Sequence, residues 1–154
     1  MPAANKQVTQ TLTQIEREKI MMSTVVVSSE KDIYSQIESA MKTRDKKICR
    51  VTSGAGALSL LLQDPMDLMI INETLSDMTA RQLIEQVIKE NSMVNCAVIS
   101  DRSPEDFHAY YEGLGVLMQF SKIPDETDLG RLFEHVDHIL SLSYTADHSG
   151  ETDL

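Results

Sequence analysis

Five short apolar runs, each followed by a stretch with helical apolar spacing, restrict what this chain can fold into. The runs occupy residues 24–27, 48–52, 68–71, 96–100 and 116–120. The first is β-branched (Val25, Val26, Val27), a composition that favours strand. The third, Leu68, Met69, Ile70 and Ile71, is continuously apolar between turn residues, as a strand covered on both faces requires. The intervening segments place apolar groups on one helical side: Ile33, Ile37, Ala40 and Met41; then Ala57, Leu58, Leu61 and Leu62; then Leu83, Ile84, Val87 and Ile88 over residues 78–91. Phe107, Tyr110, Tyr111 and Leu114 form the fourth set, and Leu129, Leu132, Phe133, Val136, Ile139 and Leu140 the fifth, from about residue 127. Strict alternation of strand and helix predicts an α/β fold. Its core is a doubly wound five-stranded parallel sheet with right-handed crossovers and helices on both faces.

Local signals support the helix starts. Ser103, Pro104, Glu105 and Asp106 combine an N-cap, a proline at the first helical position and acid in the first turn. Ser29 with Asp32 has capping-box spacing. Gly54 and Gly56 follow the second strand rather than the first, and Ser59 stands where a third glycine would be. They predict a loop and helix start rather than a phosphate cradle.

At 154 residues the chain fits one domain with a proper core. A net charge of −10 argues against nucleic acid or an anionic membrane surface as the partner. No apolar run reaches membrane-span length, and residues 1–20 lack the apolar centre of a signal peptide, so a cytoplasmic location is expected. Residues 1–22 form an N-terminal extension, either a weak amphipathic helix on Val8, Leu12 and Ile15 or a disordered arm. Residues 23–142 form the domain, and 143–154 are expected to be a flexible acidic tail.

In open parallel sheets, chemistry collects at the carboxyl edge of the strands. The residue at that edge of the third strand is Asn72. Pro65 and Asp67 precede this strand, and a loop runs from Asn72 to Ala80. Ser100 ends the fourth run, and Lys122, followed by Ile123 and Pro124, ends the fifth. In their order and spacing these residues resemble the receiver domain of bacterial two-component response regulators, over roughly three quarters of the chain.

The resemblance implies a flavodoxin-like strand order, 2-1-3-4-5. It also implies transfer of a phosphoryl group from a histidine kinase to an aspartate after the third strand, assisted by Mg²⁺ on that aspartate and two acids after the first. A hydroxyl after the fourth strand and a lysine after the fifth hold the phosphoryl oxygens. Carried onto this chain, the acceptor position is Asn72, the acid pair is Ser28 and Ser29, the hydroxyl is Ser100 and the lysine is Lys122. Gln119 takes the place of the switch aromatic, Ser76 that of the loop proline and Ala80 that of its glycine. A carboxamide cannot give an acyl phosphate, and three neutral side chains do not hold Mg²⁺. A degenerate pocket with no cofactor and no metal site follows, in a protein that is not an enzyme.

Lys122 then needs a partner, either Asn72, the Ser28 hydroxyl or Glu30, or else it extends to water. The expected function is a stand-alone phosphorelay signalling module, not phosphorylated, acting by protein–protein interaction. Its partner, a signalling protein or a second copy, would meet the fourth helix, fifth strand and fifth helix at Tyr110, Tyr111, Gln119, Asp128, Arg131 and His135. The alternatives are a small-anion or ligand sensor at the sheet edge, or a phospho-acceptor using Glu30, Glu73 or Asp77. His135 and His138 lie on a polar helix face, read as solvated rather than metal-binding. In the implied strand order Cys49 and Cys96 stand three strand spacings apart, about 14 Å. That is beyond the reach of a disulfide.

Overall fold

The computed structural model describes residues 22–42 and 47–152, the last ten as helical backbone. The expectations for residues 1–21 lie outside the described residues. The strands are β1 (Ser23–Val27), β2 (Lys47–Val51), β3 (Leu68–Asn72), β4 (Asn95–Ile99) and β5 (Met118–Phe120). The helices are α1 (Lys31–Ala40), α2 (Gly54–Gln63), α3 (Ala80–Glu90), α4 (Pro104–Tyr110) and α5 (Glu126–Thr152). All pairings are parallel, in the order β2-β1-β3-β4-β5.

The two-residue period of a strand divides the core. Val25, Val27, Met69, Ile71, Cys96 and Val98 pack with Ala57, Leu83, Ile84, Val87 and Phe107 from α2, α3 and α4. Val26, Leu68, Ile70, Ala97, Ile99 and Phe120 pack with Ile33, Ile37, Leu129, Leu132, Phe133 and Val136 from α1 and α5. Every residue of β3 is buried, which is why its sequence shows no polar alternation. The register aligns the strand ends: Val27 pairs with Val51 and Ile71, Asn72 with Ile99, and Ile99 with Phe120. The residues that leave β1, β3 and β4 therefore emerge side by side.

Most helix starts follow their local signals. Ser103 accepts the Asp106 N–H at 3.1 Å with Pro104 at the head of α4. Ser53 accepts the Gly56 N–H at 3.0 Å, consistent with the helix-start reading of that glycine pair. Thr79 and Gln82 form a reciprocal capping box, which starts α3 at Ala80 rather than Met78.

Four further expectations need correction. The Ser29–Asp32 box is absent, because the N-cap of α1 is Glu30, without a side-chain cap. Leu62 points outward, 72% exposed; Leu58, Leu60, Leu61 and Leu62 spread around α2, and only one side can face the sheet. β5 begins at Met118 rather than residue 116, after Gly113 and Gly115 with positive φ. The chain does not leave helix at residue 142, since α5 continues to Thr152.

Candidate functional site

The carboxyl edge of the sheet is built from strand ends and the turns that leave them. Ser28 is fully buried. Its backbone N–H donates to the Val51 carbonyl at 3.0 Å, and its Oγ accepts the Glu30 N–H at 3.0 Å. Ser100 repeats the device after β4: its N–H donates to the Phe120 carbonyl at 2.9 Å and its Oγ accepts the Arg102 N–H at 3.2 Å. A hydroxyl that accepts from two residues downstream closes a tight turn, so both serines have structural work at the positions named from the sequence. Asn72, 8% exposed, donates through Nδ2 to Ser28 Oγ at 3.3 Å. The acceptor position and one of the two acid positions are thus joined by a neutral hydrogen bond.

Ser29 is exposed, and its carbonyl accepts a long 3.4 Å bond from Arg50. Lys122 is exposed and makes no hydrogen bond or ion pair with Asn72, Ser28 or Glu30 among the described residues. The expected lysine network is therefore not formed. The exposed ammonium lies near the Asp125 carboxylate, whose pKa, lowered first by the Asp128 N–H, it also helps to lower. An exposed position avoids the cost of burying a lone charge. A cleft of about 200 Å³ opens beside Asn72, bounded by Glu73, Thr74, Ile99, Ser100, Asp101 and Ser121. It brings Asn72 and Ser100 together but does not include Lys122.

Glu73 and Asp77, named from the sequence as substitute phospho-acceptors, and Arg102, which the sequence did not single out, organise the edge. Glu73 Oε2 accepts the Tyr111 hydroxyl at 2.6 Å and Arg102 Nε at 3.1 Å. Arg102 also bonds Asp106 at 3.2 Å, and its guanidinium lies 3.8 Å from the Tyr110 ring centroid. Burial first, and then the Glu73 carboxylate, push the Tyr111 hydroxyl far above the ordinary tyrosine range. Asp77 caps α2 from the β3–α3 loop, accepting the Gly54 and Ala55 N–H groups at 3.0 and 2.9 Å. Those backbone bonds hold its carboxyl below the usual range. The only hint for these roles was position: Glu73 and Arg102 flank two strand ends, and Asp77 sits in the loop facing a glycine-rich helix start.

The face named for docking is uneven. Tyr111 is 3% exposed and packs on Phe107 at 4.6 Å, so it is a core residue and not a surface anchor. Gln119 is half-buried and spends its amide donors on the carbonyls of Ser100 at 3.0 Å and Arg102 at 2.7 Å. Asp128 caps α5 reciprocally with Asp125, at 3.1 and 2.8 Å. Tyr110 is half-buried, whereas Arg131 and His135 are exposed. Cys49 and Cys96 are free thiols on β2 and β4, with β1 and β3 between them.

Among the described residues, no group of three or more His, Cys, Asp or Glu is placed to hold a metal ion, and no helix is long and apolar enough to cross a membrane. No family model and no curated protein sequence matches the chain. Solved structures do. The chain is similar to the signal receiver domain of an HD domain-containing protein from Pseudomonas fluorescens Pf-5, with TM-score 0.72 and 15% identity over 81% of this chain and 93% of that one. It is similar to the chemotaxis response regulator CheY4 of Vibrio cholerae, with TM-score 0.68 and 13% identity over 75% of this chain and 98% of that one. A response regulator receiver domain protein from Clostridium thermocellum gives TM-score 0.71 and 12% identity over 79% and 98%. Strand order, helix placement and these likenesses agree: the chain has the receiver-domain fold of two-component response regulators.

Proposed function

We propose that the chain is a receiver-type signalling module of a phosphorelay pathway that docks to a protein and does not itself accept a phosphoryl group. The observation that carries this reading is the bond from Asn72 to Ser28. The amide nitrogen is directed at the hydroxyl, and the hydroxyl is already committed to the Glu30 N–H. Mg²⁺ does not fit this donor set, since the three positions that would hold it are Ser28, Ser29 and Asn72, all uncharged. No step through a metal is therefore part of the function.

The competing readings find less support. The cleft walls carry the Glu73 and Asp101 carboxylates and no cationic side chain, so a small anion would meet repulsion there. Of the substitute acids, Glu73 is bound by Tyr111 and Arg102, and Asp77 caps α2. Docking to a signalling protein or a second copy would use Arg131 and His135 on α5 together with Tyr110 at the end of α4, in the cytoplasm and without nucleic acid or membrane.

Intact mass after incubation with acetyl phosphate and Mg²⁺ tests the central point. The expected mass is unchanged, and a gain of one phosphoryl group overturns the reading. Arg131→Glu tests the face, and it should weaken association with a partner or a second copy in sedimentation.

A further inference from the structure

Three elements converge on Glu73, the residue that follows the acceptor position. Its N–H donates to the Ile99 carbonyl of β4 at 2.9 Å. Its Oε2 takes the Tyr111 hydroxyl from the end of α4 and Arg102 Nε from the β4–α4 loop. Arg102 reaches on to Asp106 within α4, and its carbonyl receives Gln119 from β5. We infer that Glu73 is the pivot of a built-in latch that holds α4, the β4–α4 loop and β5 in one arrangement. The state of the α4–β5 face is then set by a resident carboxylate rather than by a transferred phosphoryl group. The inference rests on the docking function proposed above and names what keeps the docking face ready.

The contacts differ in strength. A hydroxyl donating to a carboxylate makes a charge-assisted bond, roughly twice as strong as a neutral one. Tyr111 is buried, so little water competes for it. The Arg102–Glu73 pair is part-exposed and weak by itself. Its contribution is geometric: it fixes the loop whose carbonyls Gln119 reads. Glu73 is thus a positioning residue that acts through Tyr111, Arg102 and Gln119. If ring packing of Tyr111 on Phe107 held α4 unaided, the hydroxyl and the carboxylate would be dispensable.

Hydrogen exchange on the full chain tests the latch, comparing wild type, Glu73→Gln, Tyr111→Phe and the double variant. The amides of Phe107, Tyr111 and Leu114, bonded at 2.8, 3.0 and 3.1 Å, report on α4. Met41, which closes α1 on Ile37 at 3.0 Å, is the control. Each single variant should speed exchange at the α4 amides by about tenfold or more, the effect of weakening one such interaction, and leave Met41 unchanged. The double variant should exceed neither single by much, because Tyr111→Phe removes the shared bond and Glu73→Gln strips the same bond of its charge. Equal acceleration at α4 and α1, or independent multiplication of the two single effects, overturns the latch. Tyr111→Phe keeps the ring and decides alone if Glu73→Gln fails to fold. Neither phosphoryl donor nor partner enters this measurement, so a phosphoryl gain in the mass experiment would sink the docking reading without touching this result.

Discussion

Asn72 joins the end of β3 to the end of β1 by donating from Nδ2 to the buried Oγ of Ser28, 3.3 Å away. A carboxylate at position 72 would have no hydrogen to offer. The Ser28 hydroxyl would have to turn its own hydrogen from the Glu30 carbonyl toward the new group. The amide therefore satisfies a buried hydroxyl without bringing in charge.

Asn72→Asp should fold but lose stability as pH rises. Burial disfavours the ionised form and raises the carboxyl pKa above its unfolded value of about 3.9. Stability is then intact below that value and declines as pH climbs through the folded one. Thermal melts at pH 4 and pH 7 check this. The deficit against wild type should be larger at pH 7, and an equal deficit at both contradicts the argument.

Tyr111→Phe removes a single hydroxyl from a buried ring and leaves Glu73 short of a donor. A hydrogen bond to a charged group contributes about 1.5–3 kcal/mol, and urea denaturation should show a loss in that range. A loss below about 0.5 kcal/mol would mean that the bond contributes nothing in water. The raised hydroxyl pKa adds an alkaline signature. The unfolded tyrosine ionises near pH 10 while the folded one stays neutral, so wild-type stability falls above about pH 10. The substituted chain should lack this part of the fall.

Asp77 ties the β3–α3 loop to the N-terminus of α2. Its depressed pKa means that the contribution is present above the unfolded value of about 3.9 and is lost as pH falls through the folded one. Asp77→Ala should lower Tm at pH 7, and the gap between variant and wild type should close as the pH is taken below 4. A gap that persists at pH 2 would show that the carboxylate's charge is not what caps the helix.

The two thiols should differ sharply. Burial pushes Cys96 up to about 12, so it should resist alkylation until the protein unfolds. Cys49 is only partly buried, with a milder rise from the same cause, and should react first. Quantifying alkylated peptides in native and denatured protein checks the order. Early labelling of Cys96 would show that β4 opens in the native state.

The strand–helix alternation was legible because burial on both faces of a parallel sheet leaves a continuous apolar signature, as in β3. One cap whose bond runs three residues along the chain was legible, from Asp106 to Ser103, whereas the Ser29–Asp32 spacing gave no cap and the Thr79–Gln82 box was missed. Partners far apart in sequence were not legible. Asp77 caps a helix that begins 23 residues earlier, and Glu73 meets Tyr111 across 38 residues. No periodicity encodes such pairings. Tyr111 illustrates the difficulty: its place on the apolar side of α4 was correctly read, yet it was also counted as a surface anchor.

By itself the sequence determined the order of elements, the two-faced core and the neutral chemistry at Ser28, Ser29 and Asn72, because these depend on residue type and local spacing. Tertiary structure alone decided that Asn72 faces Ser28, that Lys122 stays exposed and apart from both, and that Glu73 gathers Tyr111 and Arg102. A side chain's partner is whichever group the folded backbone brings within about 3 Å, and that proximity arises only when distant strand ends are aligned in one sheet.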